Sequence, residues 1–130
     1  MHFKELTKVF SSERYMNGEI LFRQGDKDGD GFIVLEGSVE LTKEYNGVLQ
    51  SGLYIYKGGI FGVYKTIFEQ DERSFTATVK EPSTIIKIPE AVLKNKLAST
   101  DPFILFCIRS WSELNTKIIQ NNKAHYQNKS

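Results

Sequence analysis

The sequence predicts a mainly β fold: an antiparallel, jelly-roll-like β-roll of about eight strands, with helices at its two ends. Three observations carry this. Between Ser12 and Ile88 the chain alternates short runs rich in Val, Ile, Thr and aromatics with glycine-bearing turns. Two of those turns are Asn-Gly, at Asn17-Gly18 and Asn46-Gly47, the strongest short-range hairpin signal because both central residues take positive φ. Apolar residues at helical spacing mark the segments on either side of this region, at residues 3–10 and 103–118.

Residues 3–10, FKELTKVF, place Phe3, Leu6, Val9 and Phe10 on one side of a short N-terminal helix. Strands follow at SERYM, EILFR, FIVLEGSVELTKE and VLQSGLYIY, then at RSFTATVK and STIIKI. Gly62, within IFGVYKTIF, can open a short internal helix. Pro89 suits the first turn of a helix over PEAVLKNKLA. Asp101-Pro102 repeats the start signal as an N-cap followed by proline. The last helix carries Phe103, Phe106, Cys107, Ser110, Trp111, Leu114 and Ile118 as one apolar stripe. The roll is thus expected over about residues 12–88 and the C-terminal helices over about 89–120. Together they make one domain, residues 1–120, followed by a polar, frayed tail over 121–130.

At 130 residues the chain can bury a core, and its 40% hydrophobic and 25% charged residues are those of a globular protein. A net charge of +1 gives no general reason for a nucleic-acid or membrane-surface partner, and no nucleic-acid-binding helix-turn-helix is expected within these residues. The lone cysteine, Cys107, excludes an internal disulfide and is expected to be buried on a helix face. MHFKELTK lacks the apolar segment of a targeting signal, and the longest apolar run, FILFCI at 103–108, is too short to span a bilayer. A cytoplasmic location is expected. His2 and His125 lie at the chain ends. No metal-ligand spacing, nucleophile elbow or phosphate-binding Gly-Lys loop occurs, so no enzyme class is indicated and no obligatory cofactor is expected.

GDKDGDGF, residues 25–32, resembles half of a calcium loop, with Asp26, Asp28 and Asp30 alternating before Gly31. The twelfth position, where that loop needs a bidentate glutamate, is Gly37, and Glu36 stands one residue early. A one-residue slip in a strand turns the side chain to the opposite face. The flanks EILFR and FIVLEG also read as strands where the calcium motif needs helices. The favoured reading is a turn in which Asp and Gly tolerate unusual backbone angles, with weak metal binding at the three aspartates as the alternative.

Taken in order, GEILFRQGD from Gly18, then Phe32, Val34 and Gly37, the Val39/Leu41 alternation, Phe61-Gly62, Arg73-Ser74 and TATVKEPSTIIKIP resemble the cyclic nucleotide-binding domain family. The resemblance covers roughly residues 5–115. It implies a phosphate-binding cassette at Phe61, Gly62, Val63 and Tyr64, with Arg73 on the phosphate and Ser74 and Phe75 beside it. The chemistry suits that role: a helix start aims N–H groups at an anion, and an arginine fork matches paired phosphate oxygens. Two positions depart from the family. Val63 replaces the glutamate that accepts from the ribose 2′-hydroxyl, a bond contributing about 1.5–3 kcal/mol, and Phe75 replaces a small residue.

The resemblance implies a module that senses cyclic AMP, cyclic GMP or a related phosphate-bearing molecule. It also implies a C-terminal helix that serves as lid or homodimer interface through Trp111, Leu114 and Ile118. The alternative is a degenerate roll that binds no nucleotide and acts as an interaction or dimerisation domain.

Overall fold

The computed structural model describes the backbone of residues 3–127 and the side chains of residues 4–115 and Lys117. In chain order the elements are α1 (Phe3–Val9), β1 (Ser12–Tyr15), β2 (Ile20–Phe22), β3 (Gly31–Glu36), β4 (Val39–Tyr45), β5 (Val48–Ile55) and β6 (Ile60–Phe61). They continue with α2 (Tyr64–Ile67), β7 (Thr76–Val79), β8 (Ser83–Ile88), α3 (Glu90–Ala98) and α4 (Pro102–Gln127). The boundary between two compact units falls after Asn95.

The first unit is the β-roll. Two four-stranded antiparallel sheets have the orders β1-β8-β3-β6 and β2-β7-β4-β5. Phe22, Phe32, Val34, Val39, Ile55, Phe61, Ala77, Val79 and Ile85 fill the space between them. Ile33, Ile86 and Ile88 point to the opposite side of the first sheet, where Leu6 and Phe10 of the N-terminal segment and Val92 and Leu93 of α3 cover them. This explains why FIVL in β3 reads as a continuous apolar run: both faces of that strand are covered. Val9, expected beside Leu6 and Phe10, is instead 58% exposed, and the side chain of Phe3 lies outside those described.

The two Asn-Gly pairs do different things. Asn46 (φ 52°) and Gly47 (φ 79°) make a two-residue hairpin, with Tyr45 paired to Val48. Asn17-Gly18 is not a hairpin turn, because β1 pairs with β8 and β2 with β7, in different sheets. It is a corner, held by the Gly18 N–H donating to the Val79 carbonyl at 2.7 Å. The run FIVLEGSVELTKE is likewise two strands. Gly37, at φ 99°, passes the chain from the first sheet to the second, and a Cβ there would lie 2.8 Å from the Ser83 Cα. Ser83 closes this corner by accepting from the Ser38 N–H at 3.1 Å.

The helices that follow the roll are also capped by named groups. α3 begins at Glu90, one residue after Pro89, and the Glu90 N–H donates to Asp30 Oδ1 at 2.8 Å. In the second unit, Asp101 caps α4 by accepting from the Phe103 N–H at 2.8 Å. α4 runs to Gln127, through most of the segment expected to fray, since no glycine and no proline after Pro102 interrupts it. Phe103, Phe106, Trp111 and Leu114 are exposed, as is Cys107, against the expectation that this thiol is buried. The side chain of Ile118 lies outside those described. Among the described residues no helix is long and apolar enough to cross a membrane.

Candidate functional site

Arg73 lies where the loop between β2 and β3 meets the segment before β7. The Gly25 N–H donates to the Arg73 carbonyl at 2.8 Å, and the Arg73 N–H donates to the Asp26 carbonyl at 2.7 Å. Asp26 tightens its own turn by accepting from the Arg23 N–H at 2.9 Å. This double backbone link aims the arginine side chain inward, where only 2% of it remains exposed. Its guanidinium carbon stands 4.0 Å from the centre of the Phe22 ring, a cation–π arrangement.

The fork is largely occupied. Nη1 donates to the Gly62 carbonyl at 2.5 Å. Nη2 donates to the Asp30 carbonyl at 2.6 Å and to Asp28 Oδ2 at 2.9 Å. The Nε–H is buried with no acceptor in reach among the described residues. A buried guanidinium needs a counter-charge and full hydrogen bonding. Here it has the first and lacks one part of the second.

Gly62 makes this approach geometrically feasible. It sits at φ 80°, and a Cβ on it would lie 3.0 Å from the Asp30 carbonyl oxygen and 3.2 Å from Arg73 Nη1. Phe61 anchors the turn in the core, its ring centre 5.3 Å from that of Phe32. The helix expected to open near Gly62 is the four-residue α2, which begins at Tyr64 after Val63. Val63 packs into the notch left by Gly31, where a Cβ would come 2.8 Å from Val63 Cγ1 and 3.2 Å from Leu93 Cδ1. Tyr64 is half exposed and stacks on Phe68 at 4.3 Å.

Arg73 also lines a cleft of about 500 Å³, together with Gln24, Lys43, Gln70 and Ser74 and the acidic Glu69, Asp71 and Glu72. Ser74 Oγ contacts Gln70 Oε1 at 3.4 Å. Phe75 is half-buried over β5, where a Cβ on Gly52 would lie 3.1 Å from its ring, and Lys43 Nζ stands 5.6 Å from the ring centre. The structure therefore joins Gly62 to Arg73 directly and sets Ser74 in the adjoining cleft. Val63 and Tyr64 are engaged with other side chains.

Two residues escaped the sequence reading. Asp28, read as a turn former or calcium ligand, is the partner of Arg73. Lys43 lies on the inward face of β4, and the signal was present: Val39, Leu41 and Lys43 share one parity. The three aspartates of the calcium alternative diverge. Asp26 serves Arg23, Asp28 serves Arg73, and Asp30 serves the Glu90 N–H and Lys87 Nζ, the last at 3.3 Å. Among the described residues no group of three His, Cys, Asp or Glu is placed to hold a metal.

The cyclic nucleotide-binding domain family model matches residues 12–100. No curated protein matches the chain. Among solved structures, the cAMP-bound form of the EAL enzyme Bd1971 is similar, with TM-score 0.72 and 19% identity, over 85% of this chain and 30% of that one. The chain thus spans under a third of that enzyme. A transcriptional regulator from Thermotoga maritima is similar, with TM-score 0.67 and 25% identity, over 93% of this chain and 95% of that one. The catabolite activator protein of Thermus thermophilus is similar, with TM-score 0.66 and 20% identity, over 92% of this chain and 55% of that one.

Proposed function

The chain belongs to the cyclic nucleotide-binding domain family, and we propose that it is a cytoplasmic sensing module taking cyclic AMP, cyclic GMP or a related phosphate-bearing molecule at Arg73. One observation carries the residue assignment: a guanidinium only 2% exposed is held beneath the Gly62 turn with a buried N–H still lacking an acceptor. A cyclic phosphate is a monoanion with two free oxygens, which suits a planar fork, and exclusion of water strengthens the contact. Ser74 and Lys43, on the cleft beside it, supply further donors. The same fold is seen with cAMP and with cGMP in structures of Bd1971. Val63 offers no acceptor for a ribose hydroxyl, so affinity rests on the phosphate contact. The module acts as a regulatory sensor rather than a catalyst, and the ligand is relayed through the C-terminal helix, whose Trp111 and Leu114 form a homodimer seam.

Calorimetric titration of cyclic AMP and cyclic GMP against the wild type and Arg73→Lys tests this. Lysine keeps a buried cation for Asp28 but loses the fork. Binding at least tenfold weaker in the variant is expected, with the folded state checked by circular dichroism. Equal affinities would refute the assignment of Arg73.

A second reading, an interaction domain that binds no nucleotide, is favoured by the occupied fork and by the exposed stripe of α4. Absence of any thermal shift with either nucleotide, together with dimerisation by light scattering, would select it.

A further inference from the structure

We infer that Asp28 is a built-in competitor at the Arg73 anion site, so that a ligand phosphate enters by taking the place of the Asp28 carboxylate. This rests on the proposed reading of Arg73 as the phosphate contact and adds what controls access to it.

A guanidinium offers two edges for paired oxygens, Nε with Nη2 and Nη1 with Nη2. Both edges use Nη2. Its two hydrogens are met by the Asp30 carbonyl at 2.6 Å and by Asp28 Oδ2 at 2.9 Å. A bidentate anion must therefore displace one of these two acceptors. The Asp30 carbonyl belongs to the backbone entering β3, and the Asp30 side chain is fixed between the Glu90 N–H and Lys87. Asp28 is a side chain on an exposed loop, itself 42% exposed, and among the described residues Arg73 is its one ion-pair partner.

Releasing Asp28 returns to water a carboxylate already partly hydrated, while releasing the carbonyl would disturb the sheet. Asp28 is the group that yields. The Nε–H adds direction to the exchange. Asp28 satisfies Nη2 alone, whereas a phosphate on the Nε/Nη2 edge satisfies both donors with its two oxygens. The incoming ligand thus completes the hydrogen bonding of a buried cation that Asp28 leaves incomplete. Anion exchange then links ligand entry to the loop carrying Asp28, which the Gly25 and Asp26 backbone bonds tie to Arg73 itself.

The test compares the wild type with Asp28→Asn and Asp28→Ser, the serine variant covering the case in which asparagine folds poorly. Cyclic AMP affinity is measured by calorimetry, and melting temperature is measured in sodium sulfate against sodium chloride at matched ionic strength. Sulfate stabilises folded proteins generally, so its effect on the wild type is the baseline. The expected result is cyclic AMP bound at least fivefold more tightly by the variants, and a sulfate-dependent gain in melting temperature exceeding that of the wild type. If the wild type binds cyclic AMP and the variants bind equally or more weakly, Asp28 positions the arginine rather than competing, and the inference falls while the ligand reading stands. If no protein binds the nucleotide, the sulfate arm decides. An excess gain in the variants upholds Asp28 as competitor and refutes the nucleotide reading, whereas no excess gain overturns the inference as well.

Discussion

Arg73 connects three points of the chain: Asp28 in the loop after β2, the Asp30 carbonyl just before β3, and the Gly62 turn. Replacing it by alanine would leave the Gly62 and Asp30 carbonyls without this donor and open a void against Phe22. Arg73→Ala is therefore expected to lose about 2–4 kcal/mol in urea unfolding, more than a purely ligand-facing arginine would. A loss below about 0.5 kcal/mol would show that the buried contacts are dispensable. Gly37 is similarly constrained. Gly37→Ala places a side chain at φ 99° against the Ser83 backbone, and a loss of at least about 2 kcal/mol is expected in the same measurement. A midpoint within error of the wild type would mean that this corner can relax. Both residues were legible in the sequence as motif positions, Gly37 in the order of glycines and Arg73 in Arg73-Ser74. The role of Asp28 was not legible, since alternating aspartates before a glycine carry the same pattern whether they form a turn, bind calcium or neutralise an arginine 45 residues away.

The strands themselves were readable because β-branched and aromatic residues suit a pleated, half-buried surface, and β7 and β8 fall inside the Thr-, Val- and Ile-rich segments RSFTATVK and STIIKI. Which sheet a strand joins was not readable. β1 finds its partner in β8, and no local pattern encodes a pairing across the length of the roll. Asn17-Gly18 shows the consequence, since a hairpin signal served equally well for a corner between sheets. The β4–β5 hairpin offers a test at this level. Glu40 of β4 accepts from Ser51 Oγ of β5 at 2.8 Å and pairs with Lys80 at 3.7 Å. Its carboxyl is held below the usual range, first by the Ser51 hydroxyl and then by Tyr54 and Lys80, while the Tyr54 hydroxyl is pushed up in return. A lowered folded pKa means that this contribution is present above the unfolded value and lost as pH falls through the folded one. Ser51→Ala should move the Glu40 titration upward in an NMR pH series and make acid destabilisation shallower. An unmoved Glu40 titration would show that the hydroxyl does not hold it.

At the scale of the whole molecule, the open question is what α4 does with its apolar stripe. Phe103, Phe106, Cys107, Trp111 and Leu114 recur at three- and four-residue intervals, so they share one face of the helix, and all are exposed. A face of this kind left in water favours association. Two copies related by a two-fold axis present identical stripes to one another, which gives a closed dimer rather than an open chain of subunits. Replacing Trp111 and Leu114 together by glutamate puts charge at the centre of that seam without touching a helix cap, since Asp101 still receives the Phe103 N–H. Light scattering on a sizing column should then show a dimer for the wild type and a monomer for the double variant, with helical circular dichroism unchanged. Cys107 supplies an independent readout on the same face. Its thiol should react more slowly with a bulky aromatic disulfide in the wild type than in the double variant. A wild-type chain that stays monomeric at tens of micromolar, or a double variant as dimeric as the wild type, would remove this seam as the interface.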